Sequence, residues 1–74
     1  MLVEVRLFAT LREGRFKNEK MELPPHCRLR DLLAQLEISE QEASIRLING
    51  VSRPLDSELT ENDVVSIFPP VGGG

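Results

Sequence analysis

The chain has 74 residues and a formal charge of −3, with twelve acidic against nine basic side chains. That length holds one domain, and that charge argues against a nucleic-acid binder, which needs a clustered positive face. A single cysteine and a single histidine exclude an internal disulfide and a cysteine zinc site, and leave little for a catalytic centre.

No apolar run approaches the ~20 residues of a membrane span. Glu4 and Arg6 interrupt the opening residues, so neither a basic leader nor an unbroken apolar one is present, and the expected location is the cytoplasm. A domain this small buries only about 60% of its unfolded surface. A deep active-site pocket would remove core that the fold needs, which favours a carrier, binding module or subunit over a self-sufficient enzyme.

In chain order, residues 2–8 alternate, with Val3, Val5 and Leu7 on one face and Glu4 and Arg6 on the other, which predicts a half-buried strand. Residues 9–18 read as turn, with Gly14 the reversal. Met21 and Leu23 alternate with Lys20 and Glu22 as a second strand that Pro24-Pro25 stops. Leu29, Leu32, Leu33 and Leu36 form one stripe of an amphipathic helix. Asp31 suits its first turn, and Arg28 stands where Ser or Thr would cap. The polar run 39–44 is a loop or helical turn.

Residues 45–48 have strand propensity and lead into Asn49-Gly50, a type I′ hairpin signal because both positions need positive φ. A very short strand over 51–53 ends at Pro54, Asn62-Asp63 makes a further turn, and Val64 to Phe68 is the last strand. The order β-β-α-β-β-β predicts an α+β fold, a ubiquitin-like β-grasp in which one helix crosses a mixed sheet with the first and last strands side by side. Residues 1–68 form this domain and 69–74 an extended tail.

That tail reads Pro69-Pro70-Val71-Gly72-Gly73-Gly74. Two prolines cannot continue a ladder and favour extended geometry, and six residues span at most roughly 20 Å. Glycines keep the end narrow, which suits entry into a channel of another protein and presentation of a carboxylate there. Chain ends are also commonly frayed without function; the combination with a β-grasp pattern gives the motif its weight.

Three stretches resemble the MoaD/ThiS family of small sulfur carriers, and most of all its molybdopterin synthase small subunits: Leu7 to Glu13, Ile48-Asn49-Gly50, and Ile67 to Gly74. The resemblance covers essentially the whole chain. Departures are Gly72, where alanine is common, Asn62-Asp63 in place of Gly-Asp, and Arg28 in place of a Ser/Thr-like cap. None touches the reacting end.

The resemblance implies that an E1-like enzyme uses MgATP to adenylate Gly74, with Gly73 beside it, and that a persulfide-type donor system then converts the carboxylate to a thiocarboxylate. The large subunit of molybdopterin synthase would receive the tail and pass the sulfur to a pyranopterin precursor. The carrier itself would bind no cofactor or metal and be monomeric when alone. The alternatives are ThiS-like delivery to a thiazole, against which Phe68-Pro69-Pro70 speaks, attachment to lysines as a ubiquitin-like modifier, and an interaction module with inert glycines.

A docking surface is expected on the sheet face away from the helix. With Val65 and Ile67 turned inward, Phe68 turns outward beside Arg6 and Phe8, joined by either Ile48 or Leu47. Phe68, Phe8 and Ile48 are assigned to the patch, with Pro69, Pro70, Val71 and Gly72 following into the partner. The competing reading is peripheral core beneath loops. Cys27 reads as a small buried residue, His26 as surface, and Glu37, Glu40 and Glu42 as a solvated acidic face.

Overall fold

The computed structural model describes residues 1–70, and Val71, Gly72, Gly73 and Gly74 lie outside the described residues. Strand β1 (Leu2–Leu7) is followed by a 3₁₀ turn (Ala9–Arg12), β2 (Asn18–Glu22), helix α1 (Leu29–Leu36), β3 (Ile45–Ile48), β4 (Val51–Ser52) and β5 (Val64–Phe68). The sheet order is β2-β1-β5-β3-β4. β1 and β5 run parallel in the middle, with Val5 opposite Val65 and Leu7 opposite Ile67, and every other pairing is antiparallel. The architecture is a ubiquitin-like β-grasp.

Alternation decides which side chains meet the helix, because successive residues of a strand point to opposite faces. Val3, Val5, Leu7, Val65 and Ile67 are fully buried, together with Leu29, Leu32 and Leu33 from α1. Leu11, Leu23, Ile38, Ala43 and Leu59 close the edges of this one core. No helix among the described residues is long and apolar enough to cross a membrane.

Several boundaries differ from the sequence reading. β1 stops at Leu7 and Ala9 takes φ +53°, so the strand is one residue shorter than alternation suggested. Leu11 is buried in a 3₁₀ turn where the sequence predicts a plain turn. β2 begins at Asn18, because its register pairs Asn18 with Arg6. Gly14 (φ +70°) and the Asn49-Gly50 pair (φ +53° and +81°) occupy the left-handed region expected of them.

The missing Ser/Thr cap of α1 is replaced from a distance. Asp31 accepts the Arg28 amide through its carboxylate at 2.9 Å. The Leu29 amide donates to the Ser57 carbonyl at 2.9 Å and the Arg30 amide to the Leu55 carbonyl at 3.0 Å. Backbone carbonyls of the 55–57 loop thereby satisfy donors that a capping side chain usually serves. At the other end Glu37 is left-handed (φ +58°), and Arg15 donates to the Leu36 and Glu37 carbonyls at 3.1 and 3.0 Å.

Candidate functional site

The parallel pairing of β1 and β5 brings their C-terminal ends to the same edge. Beyond Leu7, the Phe8 amide still donates to the Ile67 carbonyl at 3.2 Å. Phe8 and Phe68 therefore emerge side by side on the face opposite α1. Their rings stack with centroids 4.1 Å apart and planes 11° from parallel. Both are half-buried, so each offers ring surface to solvent while supporting the other.

Arg12 fixes this pair from the 3₁₀ turn. Its Nε donates to the Leu7 carbonyl at 2.7 Å, and its guanidinium lies over the Phe8 ring, 5.4 Å from the centroid. Cation–π attraction at this range favours a flat guanidinium over a benzene face. On the other side of Phe68, the register places Ile45 opposite it and Leu47 opposite Ser66. Ile45 is 43% exposed and extends the apolar surface.

Ile48 is a correction. It pairs with Val65 on the helix side and is only 7% exposed, so it belongs to the core and not to the outer patch. Paired residues of an antiparallel ladder point the same way, so Ile45 and Leu47 take the outward positions. Arg46, whose charge favours solvent, shares the inner face with Ile67 by the same alternation. It donates from Nη1 to the Ala43 carbonyl at 2.9 Å. Leu47, the other residue the sequence offered for this face, is the one that turns outward, and Ile45 was missed although in Ile45-Arg46-Leu47-Ile48 it shares the parity of Leu47.

Pro69 is half-buried and Pro70 exposed; the further tail positions assigned from sequence lie outside the described residues. Cys27 is 5% exposed, and burial, with Asp31 adding, pushes its thiol up from the ordinary range. A neutral buried thiol is a poor sulfur acceptor. His26 is exposed, 3.1 Å from Glu58, and among the described residues no group of His, Cys, Asp and Glu is arranged to hold a metal. In the acidic run, Glu42 accepts the Ser39 amide at 3.1 Å and returns its own amide to the Ser39 hydroxyl at 3.1 Å. Hydrogen bonding from the Ser39 amide, and then from its hydroxyl, holds the carboxyl below the ordinary range.

The family model for the ThiS family matches residues 5–74. The chain belongs to this family. Among solved structures, it is similar to a Pyrococcus furiosus protein named as a candidate subunit 1 of molybdopterin converting factor. That pair shares 32% identity, covers 96% of this chain and 99% of the other, and has a TM-score of 0.78. It is also similar to a chain in the complex of subunits 1 and 2 of molybdopterin-converting factor from Helicobacter pylori 26695, at 30% identity over 100% of both chains, with a TM-score of 0.67. Small archaeal modifier protein 1 from Haloferax volcanii, at 23% identity over 95% of this chain and 98% of that one, with a TM-score of 0.76, shares the fold. Among the curated proteins compared, none matches the chain. Within the MoaD/ThiS family this member stands close to MoaD, and it is a carrier of the MoaD/ThiS type.

Proposed function

We propose that the protein is the sulfur-carrying small subunit of a molybdopterin synthase. The observation that carries this reading is positional. The central strand β5 ends at Phe68, whose ring forms the aromatic platform with Phe8, and Pro69-Pro70-Val71-Gly72-Gly73-Gly74 follows immediately. A partner seated on the platform has the carboxylate-bearing segment within reach.

A glycine carboxylate is ionised at neutral pH and a poor electrophile. In this reading an E1-like enzyme transfers AMP from MgATP to the Gly74 carboxylate, releasing pyrophosphate. The outer sulfur of a donor persulfide then attacks the activated carbonyl and AMP leaves; a second thiol of the donor system cleaves the resulting acyl disulfide, leaving a thiocarboxylate on Gly74 and a disulfide on the donor. The resulting thiocarboxylate is delivered to a pyranopterin precursor within the large subunit. In this reading the acids, bases and metal ligands for these steps belong to the partner enzymes. Its contribution is the docking platform, the narrow end at Gly73 and the reacting carbonyl at Gly74.

The test is the intact mass of the protein isolated from its own host without reductant or heat, and again after incubation with the host's E1-like enzyme, MgATP and a sulfur donor. A sulfur-for-oxygen increment localised to Gly74 is the expected result. Its repeated absence after that incubation rejects the carrier role. Branched adducts to lysine in place of the increment assign the chain to protein modification. Transfer of the sulfur to a thiazole precursor rather than a pyranopterin would place it with the thiamine carriers.

A further inference from the structure

We propose that the depression beside Phe8 receives a carboxylate side chain of the protein that docks on the Phe8–Phe68 platform; this rests on the docking role proposed above. The depression measures about 200 Å³ and is lined by Arg6, Phe8, Arg12, Lys17 and Asn18. Three of these five residues are cations, on a chain whose formal charge is −3. The positive corner is thus set against the protein's overall charge and lies on the same face and at the same end as the rings.

The three cations are not equivalent. Arg6 is already paired, with its Nε 2.6 Å from the Glu4 carboxylate, and hydrogen bonds from Arg6 and then Asn18 hold Glu4 below the ordinary range, hence ionised. Arg12 and Lys17 have no carboxylate partner among the described residues. Both are tied to Leu7: Arg12 through its Nε to the carbonyl at 2.7 Å, and Lys17 through its own carbonyl, which accepts the Leu7 amide at 3.0 Å. The Arg12 guanidinium is therefore held at the end of β1 before any partner arrives, with the Lys17 backbone fixed beside it, which lowers the ordering cost of binding.

One carboxylate matches this arrangement better than a phosphate. Two cations without a carboxylate partner among the described residues, beside an aromatic face, suit a singly charged side chain on an apolar protein surface, and the ionised Glu4, bonded to the lining residues Arg6 and Asn18, opposes a dianion. The partner surface that fits has apolar residues facing the rings and an Asp or Glu facing Arg12 and Lys17. Such pairing steers association and is screened by salt.

The test measures binding of the full chain to the large-subunit protein of its own host, for wild type, Lys17→Glu, Arg12→Gln and Phe68→Ser. Lys17 is exposed, so its variant keeps the fold, which an amide spectrum verifies. Lys17→Glu is expected to weaken binding about tenfold or more, mainly through kon, and to flatten the dependence of Kd on salt between about 50 and 500 mM. Arg12→Gln is expected to act in the same direction. Wild-type affinity for both charge variants with no salt effect, while Phe68→Ser fails to bind, overturns the carboxylate subsite and leaves the platform standing. Wild-type binding by Phe68→Ser overturns the docking reading itself. Perturbation of the Lys17 and Arg12 resonances by inorganic phosphate or ATP, but not by the large subunit, assigns the depression to phosphate and overturns the proposal.

Discussion

Phe8 and Phe68 stack face to face at 4.1 Å although they belong to segments at opposite ends of the sequence. The contact exists because β1 and β5 run parallel and finish at the same edge. Aromatic pairs of this kind contribute about 0.5–1.5 kcal/mol beyond area burial. A double-mutant cycle with Phe8→Leu and Phe68→Leu, followed by urea unfolding, is expected to return a coupling energy in that range. Each single variant should lower Tm by several degrees, since about 1 kcal/mol corresponds to roughly 4–8 °C in a domain this small. A coupling near zero would mean that the rings are neighbours without mutual support.

Asp63 clasps the β3–β4 hairpin to the start of β5. It is 7% exposed and accepts the Asn49 Nδ2 at 2.8 Å and the Thr60 amide at 2.8 Å. Asn49 in turn accepts the Val64 amide on its Oδ1 at 2.9 Å. Asp63→Ala strands two donors, so the expected loss is about 1.5–3 kcal/mol. Urea unfolding with an unchanged m-value checks this, and a loss below 0.5 kcal/mol on the same ~1 kcal/mol scale of a single hydrogen bond would show that water replaces the carboxylate freely.

Gly14 and Gly50 have φ of +70° and +81°, and a Cβ added at either meets nothing within 4 Å. Substitution by alanine is therefore opposed by backbone conformation alone. Gly14→Ala and Gly50→Ala should each destabilise by about 1–2 kcal/mol, and by similar amounts. Thermal melts of the two variants side by side test this; a much larger loss at one site would reveal a contact that arises only when the chain moves.

Burial raises the Cys27 thiol in the folded state, with Asp31 adding to the effect. Folded protein then holds its thiol proton to higher pH than unfolded chain does. The resulting stability is fully present below the unfolded thiol's range and is lost as pH rises through the folded one. Unfolding free energy should fall on the alkaline side in wild type and fall less in Cys27→Ala, each measured against its own neutral-pH value. Alkylation of Cys27 at neutral pH should be slow until denaturant is added; rapid alkylation of the native protein would contradict its burial.

Much of the fold was legible because the signals were local. Val3-Val5-Leu7 and Val65-Ile67 mark inward positions by alternation, the four leucines of α1 mark its inner stripe, and Asn49-Gly50 marks the hairpin. The outer patch was less legible, because residues 45–48 offer apolar side chains at both parities and the hairpin turn does not say which faces the helix. Only the register with β5 decides this, and it sends Ile48 inward and Ile45 outward. The cap of α1 was hidden for a related reason: Leu55 and Ser57 supply it through carbonyls, and a carbonyl has no residue-type signature. Arg12 likewise read as one polar turn residue, since its role depends on where the 3₁₀ turn carries it relative to Phe8.

The position of β5 also ties the reacting end to the birth of the fold. The strand made last is the one in the middle, flanked by β1 on one side and β3 on the other. A chain interrupted on the ribosome before Val64 holds two separate β fragments, β1–β2 and β3–β4, with no strand to join them. Such pairing between distant segments cannot form early. A stop before β5 therefore removes the domain together with the tail. Chains cut before β5 are left unfolded and open to proteolysis, and do not compete as folded blanks for the docking surface of a partner.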